Sequence, residues 1–412
     1  MKTAKLSFFE ITLFLYLAIA PIAWFASSPI GIYKRILLVL LLIFSITKIK
    51  VILNKDFLLV LIAYSCLFTS VWINGLDNDL FNFSSGYIEN ILFFIIGCSI
   101  ASKDTIINKI APWTYYILAL FCLLTITNFA IGIPAWTSPS MEMIEEEKNI
   151  VILEYDKLYQ TGFSWSRSGW GMSTSLYLPL LFLNKIKDQR NYKYILIAFL
   201  IIATSLVLSA NRSGLLGFLI VVFIIYRNYE INCDYRIIRN FLIFSIVILI
   251  ILFSSFFIEL FRLNSDDISA NRLDMYSYLP IMLNLIGFWG LGDGSSFVLL
   301  NNLAGLDFQM HNTIFRGIIE YGWLYGIFIV LIMYTIVKRF SKIYKTNRKL
   351  AVWGGILVSG IITSMFEPGS IFGYLGGYSL WWLSYGIFSV QEPSCRKTLN
   401  KLMVKQNINI KE

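Results

Sequence analysis

The sequence predicts an all-α polytopic membrane protein with about twelve transmembrane helices and a long outer loop between the ninth and tenth. Three observations lead there. Apolar residues make up 57% of the 412-residue chain and come in long uninterrupted runs. Charged residues make up only 14%, against about 25% in a soluble domain. The basic residues fall mainly in short connections, on alternate sides of successive apolar runs. The mean hydropathy of +0.69 agrees.

Taken in order, the candidate spans are roughly 7–26, 30–47, 57–74, 84–101, 113–133, 168–183, 194–209, 212–226, 241–258, 312–336, 351–367 and 371–390. A helix needs about 20 residues to cross the hydrocarbon core. The first run follows Lys2 and Lys5 and imitates a signal peptide, but it lacks a clear small-x-small cleavage site and more spans follow. It is read as a retained helix. The second is the weakest. Its apolar core runs only from Ile36 to Ile46 after Lys34 and Arg35, two side chains expected to snorkel outward.

Charge counting orients the chain. With the N-terminus in the cytoplasm, 25 of the 34 basic residues fall inside. Nine remain outside: Lys34, Arg35, Lys148, Lys157, Arg167, Arg212, Arg262, Arg272 and Arg316. This bias favours twelve spans with both termini cytoplasmic, and it supports the weak second span, whose removal would reverse every later loop. The net charge of +9 is therefore topology rather than a nucleic-acid footprint.

Two outer loops are long. One runs from about Pro134 to Arg167 with the acidic patch Glu142, Glu145, Glu146 and Glu147; the other occupies 259–310. The second contains an apolar stretch from Met275 to Leu291, framed by Pro280 and Gly287 and expected to form a short helix on the membrane surface. No internal repeat or soluble-domain linker divides the chain, so 1–412 reads as one integral membrane domain. The five cysteines show no disulfide framework or metal-ligand spacing, and a single histidine precludes a histidine metal cage.

The outer arginines oppose the topological preference, so each needs its own reason. An arginine fork suits phosphate oxygens bidentately, and a cluster facing outward points to an anionic ligand at the outer surface. Arg212, in Leu208-Ser209-Ala210-Asn211-Arg212-Ser213-Gly214, stands at the start of a span. There a helix dipole and free amides would assist it, and Ser213 and Gly214 would let an anion approach the backbone. The plainer alternative is an arginine snorkelling from a helix end. Arg272 is a second phosphate ligand or a solvated loop charge paired with Asp266, Asp267 or Asp274. Arg167 opens the sixth span between Trp165 and Trp170, which belong to an aromatic belt or stack on sugar rings. His311 can take a proton from a hydroxyl near neutral pH, or simply bond the backbone at a helix start. Arg316 and Glu320 lie four residues apart on one helical face and can neutralise each other. Gly322 and Gly326 form a small-xxx-small step for close helix packing.

Three stretches together resemble the O-antigen polymerase and O-antigen ligase superfamily of bacterial inner-membrane glycosyltransferases. They are Leu208 to Gly214; Asn271-Arg272-Leu273-Asp274-Met275-Tyr276 followed by Gly290-Leu291-Gly292-Asp293-Gly294; and His311-Asn312 followed by Glu320-Tyr321-Gly322-Trp323-Leu324-Tyr325-Gly326. The similar core covers 194–332. The 162–180 stretch looks like the region entering the sixth span of polymerases. Asn211 departs from the Ser or Thr often found before the first arginine.

The resemblance implies a GT-C-like helical fold and a metal-independent, inverting enzyme that needs no cofactor. It implies His311, Arg212 and Arg272 as catalytic residues, with Arg167, Asn312 and Ser213 contacting substrate. The expected partners are an undecaprenyl-diphosphate-linked oligosaccharide, the bilayer and a chain-length regulator. The 162–180 stretch favours a polymerase over a ligase that moves polymer onto lipid A–core. A flippase of lipid-linked sugars would instead carry charges near mid-membrane and helices broken in related halves.

Overall fold

The computed structural model describes residues 7–22, 29–48, 54–75, 80–101, 104–131, 162–163, 167–183, 192–209, 211–227, 272–305, 310–344, 347–367, 371–373 and 378–390. Every regular element among the described residues is helical. In chain order these are α1 (Phe8–Ile19), α2 (Pro29–Lys48), α3 (Lys55–Asn74), α4 (Leu80–Ile100), α5 (Asp104–Ala130) and α6 (Arg167–Tyr177), which continues as a 3-10 turn over Leu178–Leu183. Then come α7 (Tyr192–Leu208), α8 (Arg212–Arg227), α9 (Arg272–Ser277), α10 (Leu279–Leu285), α11 (Ser295–Ala304), α12 (Thr313–Tyr321), α13 (Trp323–Ile343), α14 (Arg348–Ser364) and α15 (Ser379–Val390). By length and composition α3, the Trp113–Ala130 part of α5, and α13 are long and apolar enough to cross a membrane. Shorter apolar helices accompany them, among them Phe8–Ile19, Ser84–Ile100, Lys193–Leu208 and Leu350–Ser364. The protein is an all-α, membrane-associated chain. The expected span 241–258, the 134–161 part of the first long loop, and 259–271 lie outside the described residues.

Helix starts are written locally. Ser7 and Glu10 form a reciprocal capping box on α1; Asn54 accepts the Phe57 amide at 2.7 Å and Asn347 the Leu350 amide at 3.2 Å. Hydroxyls within the helices bond the carbonyl one turn back, as Thr12 does to Phe8 and Thr363 to Ser359. This satisfies them where no water is at hand.

The last helix, α15, is central, with all its residues buried. A Cβ on Gly97 would overlap the Leu383 carbonyl and one on Gly386 the Phe94 carbonyl, so α4 and α15 touch backbone to backbone. Ser379 bonds Glu89 and Cys98 meets Ser389, so these two helices run parallel. Arg339 near the end of α13 pairs with Asp56 at the start of α3 at 2.6 Å, so that pair is antiparallel. Helices α8 and α14 are antiparallel too: Ser213 meets Glu367, and Gly217 packs on Ser359.

Three expectations are corrected. Lys34 does not snorkel; it is buried and pairs with Glu89 at 3.2 Å, because α2 packs that face against α4. The 312–336 segment is not one helix. It breaks at Gly322, whose φ of +91° is open to glycine and strained for other residues. A Cβ there would lie 2.7 Å from the Trp289 carbonyl carbon. Gly326 does admit a close neighbour: it receives Ile318 of α12, the helix before the break. The apolar stretch 275–291 makes two helices rather than one, with Pro280 in the first turn of the second.

The break is held by the loop after α10. Leu291 N–H donates to Ile319 O at 3.0 Å, Gly292 N–H to Glu320 O at 2.9 Å, and Trp323 N–H to Phe288 O at 3.2 Å. Ser70 and Asn74, at the end of α3, donate to the Trp289 carbonyl. Carbonyls left open at the end of α12 thus find partners. Gly322→Ala is expected to lower stability by about 1–3 kcal/mol through strain at this backbone. Gly287→Ala, which meets nothing within 4 Å, should leave the detergent-solubilised melting temperature unchanged.

Candidate functional site

Asn211 ends the turn before α8. Its Oδ1 accepts the Gly214 amide, a helix-capping bond, and its Nδ2 donates to Ser168 O at 2.9 Å. Gly171 permits this approach, since a Cβ there would overlap the Asn211 side chain. The first residues of α6 and α8, Arg167 and Arg212, are thereby brought to one end of the bundle. The placement of the Arg167 side chain lies outside the described residues. Arg212 is partly exposed. Asn211, the residue that departs from the resemblance, has a definite structural task.

Ser213 is buried, with its hydroxyl 2.8 Å from Glu367 Oε1 and 2.9 Å from Asn211 Oδ1. It faces acceptors, and a carboxylate beside it disfavours an anion at that hydroxyl. Glu367, buried just beyond α14, was not legible in the sequence as a site residue. The available signal was a lone acid closing an apolar run, in Met365-Phe366-Glu367-Pro368-Gly369.

Three residues before Glu367, the Ser364 carbonyl accepts from Thr313 Oγ1 at 2.8 Å. Thr313 is the first residue of α12, and Asn312 caps that helix by accepting the Ile314 and Phe315 amides at 3.0 and 3.2 Å. The expected substrate contact of Asn312 thus shares the residue with a cap on its Oδ1. His311 precedes it. Its amide points at Met275 Sδ at 3.5 Å and its carbonyl accepts from Tyr276 OH at 3.4 Å. Met275 and Tyr276 lie on α9, one turn from Arg272, the first residue of that helix. A small core of Met275, Met282, Leu300, Met310 and Ile319 seals α9, α10 and α11 onto α12.

The last turn of α14 thus gathers the starts of α8 and α12, and α12 carries α9 with it. The starts of α8 and α12 carry the positive end of a helix dipole, and Asn211 and Asn312 take up amides there. Arg212 and His311 stand at the starts of α8 and α12 and Arg272 at the start of α9, and Glu367 lies beside Ser213, the residue after Arg212. The Arg272 side chain lies outside the described residues.

Arg316 and Glu320 are not at this centre. Arg316 Nε lies 3.0 Å from Glu320 Oε2, and Ser296 donates to Oε1. Glu320 is fully buried, so the pair anchors α11 to α12 rather than facing a ligand. Trp170 is also corrected: it belongs to no belt. It is fully buried, bonds Ser205 at 2.9 Å and packs on Phe163. Trp165 lies outside the described residues. Among the described residues no group of three or more His, Cys, Asp or Glu side chains could hold a metal ion.

Asn211→Ala removes both the cap and the tie to Ser168, and a loss of about 1–2 kcal/mol is expected. Asn211→Asp keeps the capping oxygen and should fall between the two in a thermal melt. No family model matches the chain. No curated protein matches it either.

Proposed function

We propose that the protein is a polysaccharide polymerase that joins undecaprenyl-diphosphate-linked oligosaccharide repeats at the outer face of a bacterial inner membrane. The observation that carries this reading is the meeting of two helix starts, bearing Arg212 and His311, at the end of α14, with α9, which begins at Arg272, tied to His311 through Met275 and Tyr276. Such a cluster suits a diphosphate leaving group with a base beside it.

The reaction proposed is inverting and metal-independent. The acceptor sugar hydroxyl attacks the anomeric carbon of the donor from the face opposite the diphosphate. His311 takes the hydroxyl proton as the new C–O bond forms. The bond to the diphosphate breaks and its electron pair leaves on the phosphate oxygen, where Arg212 and Arg272 stabilise the added charge. Arg167 is assigned to the same anionic substrate. A general base contributes about 10²–10⁴-fold in rate, and loss of an electrostatic stabiliser costs about 10²–10³-fold.

The twelve-span topology with both termini cytoplasmic belongs to this proposal. Helix directions agree with the order of spans from the third to the twelfth. α3 and α13 correspond to the third and tenth expected spans, and α8 and α14 to the eighth and eleventh; both pairs are antiparallel. α4 and α15 correspond to the fourth and twelfth and run parallel. Odd and even spans must be related in that way.

The test is surface polysaccharide from strains carrying Arg212→Ala, Arg272→Ala or His311→Ala, run on a gel. Lipid A–core capped with a single repeat is expected. Bare core with polymer left on its carrier would assign a ligase instead, and single repeats held on the cytoplasmic leaflet a flippase. Wild-type ladders from all three would remove the catalytic assignment.

A further inference from the structure

The segment from Leu279 to Leu291 contains no charged residue. Its helix, α10, has two distinct apolar sides. Met282 is fully buried in the small core over α12. Ile281, Leu285 and Phe288 are about half exposed, at 49%, 53% and 56%. Ile281 and Leu285, four residues apart, share one side of α10, and Phe288 follows in the turn just beyond it. Scattered exposed apolar residues are ordinary; an aligned stripe on an uncharged segment is not.

Its neighbour indicates what covers it. The loop directly after the stripe is tied to the end of α3, with Asn74 Nδ2 3.2 Å from Trp289 O. Immediately before Asn74, Trp72 and Ile73 are 86% and 50% exposed. Helix α3 is long and apolar enough to cross a membrane. The segment is therefore joined, one residue beyond Phe288, to the end of α3, where the exposed Trp72 marks the depth at which tryptophan gathers.

We propose that Ile281, Leu285 and Phe288 insert into the interfacial layer of the bilayer, so that α10 anchors the segment bearing α9 and α11 to a lipid surface. A lipid occupant needs no polar rim, which agrees with the absence of charge, whereas a protein partner is ordinarily met by one. The proposal depends on α3 crossing the membrane and not on glycosyl transfer.

The test places a photo-crosslinking phenylalanine analogue at Leu285, or in a second sample at Phe288, of the full-length protein. Each is reconstituted in vesicles of phosphatidylethanolamine and phosphatidylglycerol, illuminated, and analysed by intact mass. Addition of one phospholipid mass at both positions, lost several-fold when Ile281→Glu is added, is expected. A dimer cross-link, an internal cross-link or no adduct at either position would overturn the proposal. The same analogue at Val330, an exposed residue of the membrane-crossing α13, confirms that lipid adducts form in the preparation.

Discussion

A single buried carboxylate holds the site-bearing segment to the bundle. Glu320 is wholly removed from solvent, and a charge so placed is tolerated only when paired and hydrogen-bonded. Arg316, one turn earlier, supplies the counter-charge, and Ser296 of α11 supplies a hydroxyl. One residue on, Tyr321 donates to Asp293, and the amides of Leu291 and Gly292 bond the last carbonyls of α12. Removing one partner of a buried pair costs about 3–5 kcal/mol, because the other is left charged and dry. α11 and the loop before it are therefore committed to one position on α12. Through the shared core of Met275, Leu300 and Met310, that commitment reaches α9 and the residue before the cap of α12.

The same rule recurs twice within the bundle. Lys34 pairs with Glu89, and Arg339 with Asp56, each joining helices distant in sequence. Apolar faces alone specify helix neighbours poorly where the surroundings are as apolar as the interface. Paired charges and close glycine contacts supply that choice here. Gly97 and Gly386 bring α4 and α15 to backbone contact, and Ser379 gives Glu89 its second partner at one end of that pair.

Among the described residues the candidate centre is defined by helix starts. Asn211 and Asn312 cap α8 and α12; α12 rests on the last residue of α14 and α8 on Glu367 just beyond it. Capping fixes where each helix begins, and so fixes where the next polar side chain can stand. This gives Asn211 a reason independent of any ligand, and it makes Asn312 a capping residue first.

The sequence by itself determined the helical class, the apolar segments and several starts, because hydropathy runs and Ser or Asn caps are local signals. It also paired Arg316 with Glu320, since four residues in a helix place two side chains on one face. Only the tertiary structure decided the rest. The break falls at Gly322, where the φ is positive and the Phe288–Gly290 backbone occupies the space any side chain would need. Trp170 is core rather than belt because Ser205 and Phe163 enclose it. Lys34 is buried because Glu89, 55 positions away, faces it. Glu367 gains meaning only when Ser213 arrives from α8. Each of these depends on a partner remote in sequence, and no periodicity or motif carries that information.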